Sequence, residues 1–505
     1  MLKRSCLIAL LFSVFVTANA QQSLCLWYNQ PANASVVDEK SGWASDKEWL
    51  KALPVGNGFL GGMVFGDVNK ERIQLNEKSL WSGSPDDFDN PDAADNLSKI
   101  RQLLFDGDYK EANQLTGKTQ VCKGRGSGSP TYGSYETLGD LWVEFGKTSA
   151  YTNYRKELDL NRGMVTVSYT QDGVNYSREI FASYPDKALV VRLKSSKRNA
   201  LGFMVKLTRP ERFSTVAENG GLLMYGSLSS GKSTPGMQYA ARLKAVSKNG
   251  QVVCSNEGIS VKNATEVMLV LTASTNYKQE YPTYVGDDPR VTTQTQLDAA
   301  VSKGYNELLK KHQADYKSLF GRVSLQLGNC RKDTVPTDAR LLNSLRNPDD
   351  LHLQELYFQF GRYLLISSSR KGSLPANLQG IWANKIRNPW NCDYHSNINV
   401  QMNYWPADAT NLSDCFEPFA RFYKSLEKPG ELTAKVQYGL DGWCMQTISN
   451  VWGFTSPGEG TTWGMYVAGG GWLCSQLWDH YLFTRDRSYL QSIYPLMMKS
   501  AKFYL

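Results

Sequence analysis

Between Gly372 and Pro406 the chain reads GSLPANLQGIWANKIRNPWNCDYHSNINVQMNYWP. This stretch holds the densest set of side chains able to do chemistry. Asp393, His395, Asn397 and Asn399 alternate with Tyr394, Ser396, Ile398 and Val400. In an extended segment, residues two apart share a face. One wall would then carry a carboxylate, an imidazole and two amides, while the alternate residues anchor the other side. If the segment turns helical at Asn397, Asn399 and Asn403 share a face instead. The plain structural alternative is a polar loop whose amides satisfy backbone groups, a common use of Asn. The surrounding aromatics favour a site, because Trp382, Trp390, Tyr394, Tyr404 and Trp405 crowd these amides. Flat rings stack on C–H faces and amides both donate and accept hydrogen bonds, so the combination suits a neutral polyol. His395 alone would read as structural. With four His in all, no metal centre is expected.

Two other motifs look like chemistry and fail on context. Gly56-Asn57-Gly58-Phe59-Leu60-Gly61 fits GxGxxG, but a strand-like run, Met63-Val64-Phe65, follows at once where a dinucleotide site needs a helix. Gly226 to Ser233 fits the phosphate-loop pattern, yet Thr234-Pro235-Gly236 and another strand follow. No helix dipole is then available to a phosphate, and the segment reads as a hairpin loop. Asn33, Asn96, Asn175, Asn263 and Asn411 fit the glycosylation pattern, which matters only in a suitable secretory pathway.

The elements that must position the 372–406 stretch fall into two blocks. From about Leu24 to Thr275, short alternating runs such as Met164–Tyr169, Ala188–Leu193 and Glu266–Leu271 are separated by Gly, Asn and Asp, as expected for a large β-sandwich. One helix, about Ala94 to Leu104, interrupts it. From Gln294 to Phe320 the chain reads as one connecting helix. Leu351 to Ser367 carries apolar residues at helical spacing, and further helices are expected near Cys415–Leu426, Trp472–Phe483 and Ser488–Leu505. Helices joined by Trp-, Gly- and Asn-rich loops suggest an α/α barrel. The last helix meets no stop signal before Leu505, so an incomplete barrel is expected.

At 505 residues the chain exceeds one ordinary domain. Its +8 charge is dispersed, with no basic stripe, so nucleic acid is not implied. Lys3 and Arg4, the apolar run Cys6–Val16 and Ala18-Asn19-Ala20 form a secretory signal, with cleavage expected near Gln21. That run is far shorter than the ~20 residues that span a bilayer, so no membrane association is expected after cleavage. Cys25, Cys122, Cys254, Cys330, Cys392, Cys415, Cys444 and Cys474 are scattered without a CxxC. Most are expected to be small buried hydrophobes.

Several long blocks then make a family resemblance specific: Leu53–Gly58, Gln74–Gly83, Tyr132–Tyr135 with Leu138–Leu141, Leu374–Trp382, Asp393–Pro406, and Trp472–Cys474 with Leu477-Trp478. Along essentially the whole mature chain the sequence resembles glycoside hydrolase family 95, the α-L-fucosidases that cleave terminal α-1,2-linked fucose with inversion. The resemblance implies a multidomain β + α fold. Residues 21–290 would form an N-terminal β-sandwich, 291–345 a helical linker, and 346–505 the first part of an (α/α)6 barrel. The signal segment implies export to the periplasm or medium, and the resemblance implies no cofactor and a fucosylated oligosaccharide or glycan as partner.

By the same resemblance Asn397 and Asn399 are the family's catalytic amide pair, orienting the attacking water through their carbonyl oxygens, and His395 is a sugar-hydroxyl ligand. Gln379, Trp382, Trp390 and Trp405, with Asn57, Glu77 and Trp81 from the N-terminal blocks, complete the candidate sugar contacts. The family's acid and base carboxylates are expected beyond Leu505. Asp393, Glu417, Glu459 and Asp479 are the local substitutes. The alternatives are an α-L-galactosidase of the same family or a catalytically inert sugar-binding fragment.

Overall fold

The computed structural model describes residues 24–36, 46–328, 334–346 and 348–505. The expected signal segment lies outside them, as does Cys330. Two antiparallel sheets build the N-terminal part. One has nine strands in the order Cys25–Tyr28, Tyr151–Asp159, Met164–Gln171, Val174–Ser183, Ala188–Ser195, Glu266–Thr275, Pro235–Ser247, Gly221–Ser229 and Ser214–Glu218. The other has seven: Gln251–Ser255, Gly258–Ala264, Leu201–Thr208, Gly139–Glu144, Lys70–Glu77, Leu60–Val64 and Leu53–Gly56. Alternation places one set of side chains between the sheets. In Met164–Gln171, Val165, Val167 and Tyr169 are buried while Thr166, Ser168 and Thr170 are half-exposed. Val165 and Val167 join Leu75, Leu141, Val205 and Leu269 in the core.

The strand Glu266–Thr275 is buried on both faces, because helices cover its outer side. The helices are α1 Ala93–Asp106, α2 Tyr109–Thr119, α3 Pro289–Val301, α4 Gly304–Phe320, α5 Thr337–Ser344, α6 Leu351–Ser368, α7 Asn399–Ala409, α8 Glu417–Ser425, α9 Glu427–Tyr438, α10 Thr461–Gly464, α11 Gly469–Thr484 and α12 Arg487–Tyr504. Leu297, Ala300, Tyr305 and Leu308 of α3 and α4 pack on Phe181, Val190, Met268 and Val270 of the nine-stranded sheet. The single helix expected over Gln294–Phe320 is thus two. The chain breaks at Ser302–Lys303, and Gly304 takes a φ of +70° that a residue with a Cβ rarely adopts. The sandwich insertion is likewise two helices: Gly107, at φ +85°, caps α1, and α2 follows. α9 was not among the expected helices, and Pro429 falls in its first turn. Pro is tolerated in a first turn, where its N–H would lack a partner anyway.

The GxGxxG and phosphate-loop segments are both hairpins. Asn57 Oδ1 accepts from the Phe59 and Leu60 amides at 2.9 and 2.7 Å, closing the turn between two strands. Gly226–Ser229 belongs to a strand whose partner begins at Pro235.

The helical part docks on the sandwich through α6. Tyr363 donates to the Pro54 carbonyl at 2.7 Å, and Gly58 N donates to Ser367 O at 2.8 Å. Beyond it, Tyr394, Tyr404, Phe416, Phe419, Phe422, Tyr423, Trp443, Leu473, Leu477, Ile493 and Leu496 extend the same core. Among the described residues no helix is long and apolar enough to cross a membrane.

Candidate active site

The expected alternation from Asp393 to Asn399 is extended only in part. Tyr394 and His395 pair with Ile448 and Ser449 in a two-stranded ladder, and the chain enters α7 at Asn399. Ahead of the ladder, Trp390, Asn391 and Cys392 all have left-handed backbones, with φ of 47°, 54° and 51°. Three such residues in a row are strained without Gly, and neighbours hold them in place. The Asn391 carbonyl accepts from Tyr135 N at 2.9 Å, its side chain donates to Ser127 O at 3.0 Å, and Asn388 Nδ2 donates to Tyr135 O at 2.8 Å. This turn leaves Trp390 58% exposed, edge-on to His395 with ring centroids 6.4 Å apart.

Trp390, Asp393, His395 and Asn397 line a cleft of about 680 Å³ with Thr447, Trp463 and Glu459. Its volume suits a small oligosaccharide fragment. Asp393 is 1% exposed at its floor. Oδ2 accepts from the Tyr132 hydroxyl at 2.7 Å and Oδ1 faces His395 Nδ1 at 2.5 Å. Burial pushes the Asp393 carboxyl up from its ordinary range, and the His395 and Tyr132 hydrogen bonds pull it partly back. Burial, with the Asp393 charge added, pushes the Tyr132 phenol well up, so it stays protonated and donates. With Nδ1 engaged, His395 presents Nε2 to the cleft. Glu459 accepts from Ser127 N at 3.0 Å and from Ser127 Oγ at 2.7 Å.

The structure brings some of the sequence-predicted residues together and scatters others. Asn397 lines the cleft. Asn399 is exposed at the start of α7, two residues on and outside the lining. Gln379 is half-buried in the turn Asn377–Gly380 and Trp405 is exposed on α7, both also outside it. For Asn57, Trp81 and Trp382 the expected sugar contact needs correction, because their side chains have almost no free surface. Asn57 ties its own turn to Ser183 O. Trp81 is fully buried and stacked on Tyr394 at 6.0 Å. Trp382 donates to Val55 O at 3.0 Å. Short Gly- and Asn-rich blocks between strands pack a hairpin as readily as they build a site, so sequence could not separate the two.

Glu77 lines a different cavity, of about 290 Å³, together with Ser79, Lys187, Gln279 and Arg421. Burial pushes its carboxyl up to about 7. Of the four local carboxylates, Asp393 and Glu459 reach the cleft. Glu417 instead accepts from Gly372 N and Arg421, and Asp479 is exposed on α11. Residues the sequence reading missed are Ser127 and Tyr132, from a loop of the sandwich, and Thr447 and Trp463. Trp463 lay in a Gly- and Trp-rich loop, which was a usable signal. Nothing local marked Ser127.

Residues 304–505 match the glycosyl hydrolase family 95 catalytic domain, and residues 26–280 match the glycosyl hydrolase family 65 N-terminal domain. The chain is 36% identical over 492 residues to Alpha-L-fucosidase 2 of Arabidopsis thaliana, covering 91% of this chain and 57% of that protein. It is 33% identical over 505 residues to "Probable alpha-fucosidase A" of Aspergillus niger, covering 95% of this chain and 60% of that one. The chain therefore spans about three-fifths of the length of these curated relatives. Among solved structures it resembles one assigned as a kojibiose phosphorylase from the human microbiome, with a TM-score of 0.53, 11% identity, and coverage of 89% of this chain and 54% of that one. That likeness speaks to the fold alone. A catalytic-domain match on the helical part that holds the cleft and a sugar-enzyme N-terminal match on the sandwich liken the chain to glycosyl hydrolase family 95.

Proposed function

We propose that the protein is an exported α-L-fucosidase that removes terminal, α-1,2-linked fucose from oligosaccharides or glycans with inversion of configuration. The observation that carries this reading is the cleft of Trp390, His395 and Asn397, where an aromatic face, an oriented imidazole and an amide converge over a buried carboxylate. A deoxy sugar offers an apolar face and few hydroxyls, which such a wall can match. In this reading Trp390 and Trp463 flank the sugar and His395 Nε2 takes a hydroxyl. Asn397, with Asn399 two residues on, orients water on the face opposite the leaving group. An inverting hydrolase keeps its acid and base about 6.5–9.5 Å apart so that this water fits between them.

Asp393 acts through His395 in this scheme, because each of its oxygens already has a partner. The curated relatives' fucosidase names support the substrate class. The basic and apolar residues from Lys3 to Val16 support export, and a mature N-terminus at Gln21, read by mass spectrometry, checks it. For the reaction, the whole protein is incubated with 2′-fucosyl-lactose and followed by proton NMR. β-L-fucose as the first product is expected. Initial α-L-fucose overturns inversion, and absence of fucose overturns the activity.

A further inference from the structure

The cleft lies in the helical part, yet two of its hydrogen-bonding clamps come from the sandwich. We infer that the sandwich loop from Gly124 to Tyr135 is a working wall of this site, with Tyr132 and Ser127 as positioning residues for the Asp393–His395 pair and for Glu459. The inference rests on the reading of the cleft as a sugar site.

Tyr132 is fully buried, and three contacts fix it. Its ring meets Phe454 edge-on at 4.9 Å and Phe88 at 6.4 Å. Its carbonyl accepts from Asn450 Nδ2 at 2.8 Å. A phenol held this firmly determines where Asp393 Oδ2 sits. The other carboxylate oxygen then determines where Nδ1 of His395 sits, and so the direction of Nε2. Tyr132→Phe would keep the packing and leave a buried carboxylate oxygen without its donor, which is the costly kind of loss.

Ser127 works on Glu459. Its amide and hydroxyl engage both oxygens of Glu459, and its carbonyl receives Asn391 Nδ2 from the strained turn that carries Trp390. Gly126 beside it has a φ of +51°, and a Cβ there would collide with the Glu459 carboxylate. The backbone therefore runs where only Gly lets Glu459 approach. A loop that served only to connect α2 to the strand Gly139–Glu144 would have no reason to engage both cleft carboxylates.

The test uses protein labelled with 15N at its histidines, with the His395 signals assigned by their loss in His395→Gln. At a pH where the imidazole is neutral, the parent should show the Nδ1-protonated tautomer. Tyr132→Phe should move both nitrogen shifts toward mixed-tautomer values, because Asp393 is no longer held. Ser127→Ala should leave the His395 shifts in place and weaken binding of 2′-fucosyl-lactose about tenfold, the loss of a hydrogen bond to a charged group. Unchanged His395 shifts in folded Tyr132→Phe overturn the inference. If that variant does not fold, a slowly exchanging Tyr132 hydroxyl proton in the parent carries the same test, and its absence overturns it. Moved His395 shifts without sugar binding by any form support the positioning and overturn the sugar reading.

Discussion

The hydroxyl of Tyr132 donates to Asp393 Oδ2 at 2.7 Å, across a sequence separation of 261 residues. The first residue belongs to a loop of the β-sandwich and the second to the loop before α7. Their contact makes the cleft a composite of both parts of the chain. It also accounts for a carboxylate that burial alone would make too costly to keep.

The amides of Asn397 and Asn399, on either side of the residue that caps α7, are expected to act on turnover more than on binding. In the whole enzyme Asn397→Ala should lower kcat by about 10²–10³, the range for removing one preorganised polar group, with a much smaller rise in KM. Asn399→Ala should follow in the same direction with a smaller loss, because Asn399 lies outside the cleft lining. Steady-state kinetics on 2′-fucosyl-lactose separates the two parameters. A defect confined to KM would reassign the amides to holding the ground-state sugar.

Gly56 tests the seam between sandwich and helices. A Cβ built there meets the Ser367 carbonyl oxygen of α6 at 2.5 Å. Backbone cannot swing aside as a side chain can, so Gly56→Ala should destabilise by about 1–3 kcal/mol through overpacking. Chemical denaturation measures it. An unchanged midpoint would mean that α6 can slide on the sandwich at no cost.

His312 supplies a pH test away from the cleft. It is 3% exposed on α4, with Nε2 facing the carbonyls of Arg162 and Gly163 at 3.0 and 3.1 Å. Burial lowers its pKa to about 4 from 6.5. The folded state therefore favours the neutral ring. That contribution is complete above pH 6.5 and is lost as pH falls through about 4. Relative to His312→Gln, the parent should lose about 3 kcal/mol of its advantage between pH 7.5 and pH 4. Paired denaturation curves at the two pH values cancel the carboxylates common to both proteins. A constant gap would contradict a neutral His312.

Much of the fold was legible because period-2 runs and Gly- or Asn-marked turns are local signals. The strand Met164–Gln171 and the helix α6 both read off their own spacing. Breaks that depend on one dihedral were not legible. Gly304 splits the expected connector because its backbone turns left-handed, and sequence shows only that it could. The helix α9 also went unread, and there Gly430 packs against Trp443. The site was legible in its local half: Asp393, His395, Asn397 and Trp390 come from one stretch of chain. Its other half, Ser127 and Tyr132, arrives through tertiary contact. Asn57, Trp81 and Trp382 carry residue types a sugar would favour, and the core uses those types for packing.

A crystal structure of the protein with a bound fucose-shaped iminosugar such as deoxyfuconojirimycin tests the central claim most directly. The account predicts the ring in the cleft beside Trp390, with one hydroxyl within hydrogen-bonding distance of His395 Nε2 and the Asn397 amide facing its anomeric side. A ring bound instead in the cavity of Glu77, Lys187 and Arg421, or one making no contact with His395 and Asn397, would contradict it.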